Sequence, residues 1–247
     1  MPVILSGFEL VPLDDVDSTN DEAKRRAEAG AASGTLVWTR RQSSGRGRRG
    51  RVWESPYGNC YSSLILRPRT TVAEAAQVSF VAALAVAEAV AALVPAGRKV
   101  TCKWPNDVLI DGAKCAGILL ESRSGAAGIE WLVVGVGINV ASAPAGIEYP
   151  ATSLAAAGAT ASVEHVLERY AARMSHWLER WRNEGFGAVR SAWLGWADGL
   201  GQPVRVRLGD ATLVGLFESL DEAGALVLAT PDGGRRRVAA GDVFRAA

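Results

Sequence analysis

The sequence has few residues of the kinds that hold zinc or form disulfide frameworks. Its histidines are His165 and His176, and its cysteines are Cys60, Cys102 and Cys115, an odd number without a Cys-x-x-Cys pair. A structural zinc site needs closely spaced His and Cys ligands, and a disulfide framework needs paired cysteines. We therefore expect neither a protein-bound zinc ion nor disulfide bonds.

The chain also lacks a strong net charge. Its 27 Lys and Arg residues nearly balance 26 Asp and Glu residues, which leaves a formal net charge of +1. A protein whose main task is to coat nucleic acid carries a large basic excess, so that class is disfavoured. A hydrophobic content of 49% with 21% charged residues is typical of a globular protein.

No segment has the pattern of a membrane-targeting sequence. Residues 1–15 lack the basic start and the sustained apolar run of a signal peptide, so we expect a cytoplasmic protein. Residues 72–94 are rich in Ala and Val, but Glu74 and Glu88 interrupt them, and charges at membrane depth are costly. This pattern favours a buried core helix over a membrane span.

Hydrophobic spacing and turn residues predict the elements of a large domain. The predicted helices are 17–30, a helix that starts with a capping box at Thr71, and 163–196. The predicted strands are 35–39, 61–67, 99–104, 108–110, 115–121 and a central strand at 131–140. A hairpin turn is predicted at Asp111-Gly112. Because hairpins rather than helical crossovers dominate, we expect an α+β fold with a mixed, mostly antiparallel sheet flanked by helices.

The end of the chain has a different pattern. Short strands are predicted at 204–208, 211–215, 225–228 and 237–238, with Gly-Asp and Asp-Gly-Gly turns between them. Strands at this spacing indicate a small β-barrel, whose size is marginal for a stable fold alone, so we expect it to pack on the rest of the protein. We therefore predict a domain at 1–198 and a second one at 199–247.

The segment QSSGRGRRGRVW (42–53) contains the letter pattern of a dinucleotide-binding loop, with glycines at 45, 47 and 50. That loop requires a helix directly after the glycines, because the helix N-terminus holds the pyrophosphate. Pro56 and Gly58 make the following residues a poor helix. No Gly-Lys-Ser/Thr ends the run either, so a P-loop is also disfavoured.

Six arginines lie in and just before this segment without an acid between them: Arg40, Arg41, Arg46, Arg48, Arg49 and Arg51. Three interpretations remain open for this segment alone. It could be a solvated basic loop, an arm that binds nucleic acid, or a mobile loop that closes over a polyphosphate. Glycines permit such closure, and guanidinium groups pair well with phosphate oxygens.

Other motifs accompany the arginine-rich segment in a fixed order. They are DSTN (17–20), Gln42 with GRGRRGR (45–51) and Trp53, KWPND (103–107), KCAGIL (114–119) and GVGIN (135–139). Each is weak alone, but the set covers most of the chain and resembles the biotin protein ligase family, also called biotin–[acetyl-CoA-carboxylase] ligases. The resemblance implies a class II synthetase-like catalytic domain followed by an SH3-like domain.

The resemblance also implies an activity. Such enzymes join biotin to ATP, release pyrophosphate, hold biotinyl-5′-AMP, and then pass biotin to one lysine of a biotin carboxyl carrier domain. A lipoyl or octanoyl transferase or ligase, which shares the catalytic fold, is the alternative. The Gly-Arg-rich loop followed by KWPN (103–106) favours biotin.

Site residues follow from the resemblance position by position. Those implied to bind biotin are Ser18, Thr19, Asn20, Gln42, Gly45, Arg46, Gly47, Arg48, Lys114 and Gly117. Those implied on the nucleotide side are Arg51, Trp53, Lys103, Asn106, Asp107 and Asn139, with Asp107 near the incoming lysine or the metal. Arg48 and Lys114 are the implied catalytic residues.

The resemblance also concerns metal and partners. Mg²⁺ is expected with ATP, without an all-protein metal cage, because the phosphates supply ligands. Some family members begin with a winged-helix DNA reader, but thirteen residues precede Asp14, so we expect no DNA-binding domain. Neither nucleic acid nor a membrane is an expected partner. Family members can pair through the sheet, which makes a homodimer an open prediction.

Overall fold

The computed structural model describes residues 3–126, 128–146, 149–209 and 211–245. The strands of its larger sheet are β1 (Val3–Leu5), β2 (Phe8–Leu13), β3 (Thr35–Thr39), β4 (Cys60–Leu66), β5 (Val100–Lys103), β6 (Asp107–Ile110), β7 (Ala113–Gly125) and β8 (Gly128–Ile138). They lie in the order β1-β2-β3-β4-β8-β7-β6-β5. Among the described strands, β2 and β3 pair in parallel and the other neighbours are antiparallel. The predicted mixed, mostly antiparallel sheet is confirmed.

Helices cover both faces of this sheet. They are α1 (Thr19–Glu28), α2 (Val72–Ala76), α3 (Val78–Ala91), α4 (Val163–Glu184) and α5 (Phe186–Trp196). The face of the sheet under α1 holds the smaller of two apolar clusters, which includes Ala23, Ile65 and Val133. The opposite face holds the main core, in which α3 and α4 pack on the sheet.

Helix α3 is apolar on every side, and such a helix is buried in a core or in a membrane. The stretch Val72–Ala91 is the one described helical segment long and apolar enough to cross a membrane. Within α3, however, residues from Val78 to Val90 are mostly buried among other elements, with Leu84 fully inaccessible. The predicted core helix is confirmed, as is the capping box of Thr71 and Glu74.

The C-terminal sheet packs against this core. Its strands are β9 (Pro203–Leu208), β10 (Ala211–Leu220), β11 (Leu226–Ala229), β12 (Arg235–Val238) and β13 (Asp242–Arg245), in the order β12-β11-β10-β9-β13. Phe217 of β10 belongs to the same hydrophobic cluster as the helices. Trp104 donates from Nε1 to the carbonyl of Gly224 at 3.0 Å. The small β unit thus packs on the larger part, as predicted.

Three strands are not predicted by the sequence patterns. Two of them are β1 and β2, and Pro12 lies inside β2, where proline removes a backbone donor and weakens a strand pattern. The third, β13, is a short edge strand of four residues, Asp242–Arg245, with one buried side chain. Alternation over so few residues gives little signal.

Candidate active site

A depression in the large sheet forms the floor of a cavity of about 280 Å³. Gly117 of β7 lies directly opposite Gly137 of β8, and Gly135 points to the same face as Gly137 because side chains alternate along a strand. A Cβ atom on Gly137 would lie 2.7 Å from the indole of Trp53, and one on Gly135 would lie 2.1 Å from Oδ1 of Asn20. Glycine is therefore required where these two side chains approach the sheet.

Uncharged polar groups line one end of the cavity, at the start of α1. Ser18, Thr19 and Asn20 are each at most 4% exposed. Oε1 of Gln42 accepts hydrogen bonds from the backbone N–H of Thr19 (2.7 Å) and from its hydroxyl (3.1 Å). The hydroxyl of Ser63 donates to Oδ1 of Asn20 at 2.6 Å. These contacts hold hydroxyl and amide groups in fixed positions without a formal charge among them.

The arginine-rich loop folds back on itself beside this floor. The backbone N–H of Trp53 donates to the carbonyl of Gly45 (3.0 Å), and that of Gly47 donates to the carbonyl of Arg51 (2.7 Å). A Cβ atom on Gly45 would lie 2.4 Å from the carbonyl oxygen of Trp53. A single 3₁₀ turn at Arg48–Gly50 takes the place where a dinucleotide-binding loop has a helix. The exclusion of that motif is confirmed.

Two cations enter the cavity from different elements. Arg48 donates from Nη1 to Oδ1 of Asn106 at 3.0 Å, and burial lowers the pKa of its guanidinium below the usual value. Nζ of Lys114 lies 2.7 Å from Oδ1 of Asp107 and 5.2 Å from the ring centre of Trp53. That oxygen of Asp107 is buried, so the ion pair is partly shielded from solvent. The site therefore carries charge that an anionic ligand would match.

A carboxylate from the C-terminal sheet closes the cationic end. Asp242 lines the cavity and is 12% exposed at its side chain. Its Oδ2 accepts from Nη2 of Arg51 at 2.5 Å, with Arg49 at 3.6 Å and Arg207 at 3.7 Å. Burial opposes its ionisation, but the hydrogen bond and charge of Arg51, with the charges of Arg49 and Arg48, lower the pKa of Asp242. One acid thus holds several guanidinium groups at the rim.

Lys103 and Asn139 have different places relative to the cavity. Asn139 lines it and donates from Nδ2 to the carbonyl of Thr152 at 3.1 Å. Lys103 lies behind the wall, with its ammonium 4.5 Å from the ring centre of Tyr149 and 5.6 Å from that of Phe244. Burial lowers the pKa of Lys103. Lys103 is therefore not placed to contact a ligand in the cavity.

Most residues that the sequence placed in the site come together here. The predicted residues that line the cavity are Ser18, Thr19, Asn20, Gln42, Arg46, Gly47, Arg48, Arg51, Trp53, Asn106, Asp107, Lys114, Gly117 and Asn139. Gly45 and Lys103 do not line it. Lining residues that sequence reasoning missed include Tyr61, Gly137, Tyr149 and Asp242. Gly137 lies inside the GVGIN motif, whereas nothing local in the sequence marks Asp242.

Comparison with known proteins agrees with this geometry. Residues 13–139 match the Biotin/lipoate A/B protein ligase family, and residues 199–245 match the Biotin protein ligase C terminal domain. A Biotin--[acetyl-CoA-carboxylase] ligase of Paracoccus denitrificans is 41% identical over 234 residues, which span 92% of this chain and 97% of that protein. The corresponding ligase of Mycobacterium tuberculosis is 35% identical over 239 residues, 92% of this chain and 85% of its own.

A solved structure extends the similarity to three dimensions. The biotin protein ligase from Aquifex aeolicus in complex with biotin and ATP is 30% identical, with a TM-score of 0.81 over 96% of this chain and 99% of that one. The large sheet and the C-terminal unit therefore have counterparts in proteins of one kind. Because the family model matches about half of the chain and the relative from Paracoccus denitrificans aligns over nearly its whole length, this chain belongs to the biotin/lipoate A/B protein ligase family.

Proposed function

We propose that this protein is a biotin protein ligase, which activates biotin with ATP and transfers it to a lysine of a biotin carboxyl carrier domain. The observation that carries the proposal is a single cavity with two chemically different ends. The end formed by Thr19, Asn20 and Gln42 offers neutral hydroxyl and amide groups, and the end formed by Arg48 and Lys114 offers cations. Biotin has a neutral ureido ring and a carboxylate, so it matches both ends.

The first step joins two anions. An oxygen of the biotin carboxylate attacks the α-phosphorus of ATP, the bond from that phosphorus to the bridging oxygen breaks, and pyrophosphate leaves. Repulsion between the carboxylate and the triphosphate raises the barrier, and fixed cations lower it. Lys114 and Arg48 are half-buried cations that line the cavity and come from different elements, so we assign them this role.

The biotin end works by hydrogen bonding. A ureido group has two N–H donors and one carbonyl acceptor, and buried polar groups must find partners. The hydroxyl groups of Ser18 and Thr19 and the amide of Asn20 lie in the cavity wall, and Gln42 fixes the position of Thr19. Gly117 lets Trp53 and Lys114 lie close over the sheet, since a Cβ there would be 3.0 Å from the Trp53 ring and 3.3 Å from Cε of Lys114.

The nucleotide end is more basic than the biotin end. Arg51, Trp53, Asn106 and Asn139 line it, and Nε1 of Trp53 is buried without a hydrogen-bond partner in the described structure. An acceptor on the nucleotide would satisfy that donor. We assign the phosphates to Arg48 and Arg51 because guanidinium groups bind phosphate oxygens well.

Mg²⁺ belongs to the proposal as the partner of ATP. Among the described residues no three His, Cys, Asp or Glu side chains gather around one point, so ATP itself would supply most ligands. Asp107 fits a supporting role, because its carboxylate lines the cavity and its Oδ1 is buried beside Nζ of Lys114, 2.7 Å away. When bound, Mg²⁺ neutralises phosphate charge, and Asp107 would offer it one oxygen or orient the incoming lysine.

The loop has a second role in this scheme. The mixed anhydride of biotin and AMP reacts with water, so a loop that covers it until the carrier lysine arrives protects the intermediate. The backbone contacts of Gly45 and Gly47 already fold the loop beside the cavity. In the second step the neutral lysine nitrogen attacks the acyl carbon, the bond from that carbon to the phosphate oxygen breaks, AMP leaves with the bonding electrons, and the nitrogen gives up one proton to solvent.

Lipoyl or octanoyl transfer is not favoured, since the full-length curated relatives are named as biotin ligases. A cytoplasmic location is part of the proposal because the reaction consumes ATP. If two copies pair through an outer strand of the large sheet, the cavity stays free, since neither outer strand, β1 or β5, lines it.

The test is incubation of the protein with biotin, MgATP and a biotin carboxyl carrier domain, followed by mass measurement of the carrier. We expect one biotin on one carrier lysine. Parallel reactions omit ATP, replace biotin with lipoate, or use a carrier whose acceptor lysine is changed to arginine. Transfer of lipoate without transfer of biotin would overturn the assignment in favour of the alternative.

A further inference from the structure

A network of four charged side chains connects the arginine-rich loop to α1 and β7. Arg46 donates from Nη2 to Oδ1 of Asp21 at 2.5 Å and lies 3.3 Å from Oε2 of Glu121. Lys24 lies 2.7 Å from the same oxygen of Asp21 and 2.8 Å from Oε1 of Glu121. We call Arg46, Asp21, Lys24 and Glu121 the loop clasp. Its two cations and two anions balance.

The loop clasp gives Arg46 a different role from Arg48. Both residues belong to the GRGRRGR motif, but Arg48 turns towards Asn106, whereas the guanidinium of Arg46 turns towards α1. The loop is already joined to α1 at its base, where Gln42 accepts from Thr19. The loop clasp adds a second point of attachment at Arg46, further along the loop.

We propose that Asp21 is a positioning residue that holds the loop closed over biotin through Arg46. Asp21 does not line the cavity, but it follows directly after Ser18, Thr19 and Asn20, which do. The clasp therefore links occupancy of the neutral end to closure of the loop. Opening requires the contact between Arg46 and Asp21 to break, which slows departure of biotin and of biotinyl-5′-AMP. This inference rests on the proposed function.

The exposure of the loop clasp sets the size of the effect. The four side chains are 24–40% exposed, and partly exposed ion pairs contribute little to the stability of a fold. Loop closure, however, is an equilibrium between nearly balanced states, so a weak contact made only in the closed state changes its lifetime directly. We expect its loss to speed dissociation about threefold to tenfold. Salt should have the same effect, since it screens exposed charges.

A substitution of Asp21 tests the contact with Arg46 more selectively than a substitution of Glu121 would. Glu121 also accepts from Nδ2 of Asn20 at 2.8 Å, so changing it would disturb the cavity wall. The contacts of Asp21 are with Arg46 and Lys24. The neighbouring Glu22 is a matched control in the same helical turn, because its carboxylate pairs with other arginines of α1, not with the loop.

The experiment compares Asp21→Asn and Glu22→Gln with the wild-type protein. Dissociation of radiolabelled biotin into excess unlabelled biotin is followed without ATP, at low salt and at high salt. We expect Asp21→Asn to release biotin about threefold to tenfold faster at low salt, with the difference lost at high salt. Glu22→Gln should match the wild type. Asp21→Ser is a second variant, and melting temperatures identify any general loss of folding.

A double-mutant cycle separates positioning from a general structural role. If Asp21 acts through Arg46, then Asp21→Asn should add nothing to the release rate of Arg46→Gln. Additive effects of the two substitutions, or a wild-type release rate in Asp21→Asn and Asp21→Ser, would overturn the proposed role of the loop clasp and leave the proposed function standing. A wild-type protein that binds no biotin would overturn the proposed function together with the clasp.

Discussion

Lys114 is the residue on which the proposed chemistry depends most directly. Its ammonium sits in the cavity beside Asp107, where it can offset the repulsion between a carboxylate and a triphosphate. Removal of one such group from a preorganised site costs about 100-fold to 1,000-fold in rate. We therefore expect Lys114→Gln to lower the rate of biotin-dependent pyrophosphate release by about 100-fold or more, with a smaller change in KM.

The matched control is Lys99→Gln, since Lys99 is exposed and does not line the cavity. That variant should release pyrophosphate at the wild-type rate. A rate for Lys114→Gln within a few fold of the wild type would remove Lys114 from the chemical step.

A second prediction for a single residue concerns Asp17 and the way it makes the stability of the fold depend on pH. Arg25 donates two hydrogen bonds to its carboxylate, at 2.9 and 2.8 Å, and these lower the pKa of Asp17 from 3.8 to about 2. A carboxyl group with a lowered pKa stabilises the fold above its unfolded value and loses that effect as the pH falls through its folded value. Because Asp17 is 46% exposed at its side chain, the effect should be below about 1 kcal/mol.

The prediction concerns the free energy of unfolding of Asp17→Asn, measured by urea denaturation across pH. Near neutral pH the variant should be less stable than the wild type. The difference should shrink as the pH falls below 3.8 and vanish near 2, the two pKa values of Asp17. A difference that stays constant across this range would mean that the charge of Asp17 has no part in the stability.

At the scale of elements, strand β8 separates the two ends of the cavity. Gly135 and Gly137 point to the same face two residues apart, but a Cβ on Gly135 would strike Asn20, whereas one on Gly137 would strike Trp53. Overpacking of this kind costs about 1–3 kcal/mol. We expect Gly135→Ala to weaken biotin binding and Gly137→Ala to raise the KM for ATP, each by about tenfold or more.

Isothermal titration with biotin and steady-state kinetics with varied ATP would measure the two effects. Gly195→Ala is the control, because no atom lies within 4 Å of a Cβ built at Gly195 in α5. Equal losses for both ligands in both variants would mean that β8 does not divide the cavity as proposed.

Elements with a clear periodic pattern or a turn signal at an end could be predicted from the sequence, and elements without either could not. Helix α4 (Val163–Glu184) has a regular apolar stripe, and strand β3 (Thr35–Thr39) follows directly after Ser33-Gly34, which are turn residues. Strand β13 has no such pattern, and β2 contains Pro12. Tertiary pairing with neighbouring strands stabilises these two, and the local sequence does not record that pairing.

At the scale of the whole molecule, the site residues also divide into those that a sequence motif marks and those that no motif marks. Thr19, Gln42, Lys114 and Asn139 belong to recognisable motifs, so the resemblance to a family is enough to assign them to the site. Asp242 lies 191 residues from its partner Arg51 and belongs to no motif that the sequence marks. Only the packing of the C-terminal sheet on the larger part brings this acid to the cavity.

This placement predicts that the C-terminal sheet acts on the nucleotide end. Asp242 holds Arg51 and Arg49 at the rim, and without its charge these guanidinium groups would repel each other and the loop would lose a fixed position. ATP binding would then have to order the loop as well. We expect Asp242→Asn to raise the KM for ATP about tenfold, with a smaller change in the KM for biotin.

Glu218→Gln is the matched control for Asp242→Asn, measured in the same steady-state assay. Glu218 lies in β10 of the same sheet and pairs with Arg235, outside the cavity lining. This variant should keep the wild-type KM for ATP, because it removes a carboxylate from the sheet without touching the loop. A lower KM for ATP in Asp242→Asn would mean that Asp242 competes with the phosphates for Arg51, since a neutral side chain would then free a cation for the nucleotide. A higher KM in both variants would mean that the sheet acts through its stability, because neither carboxylate would have a specific role.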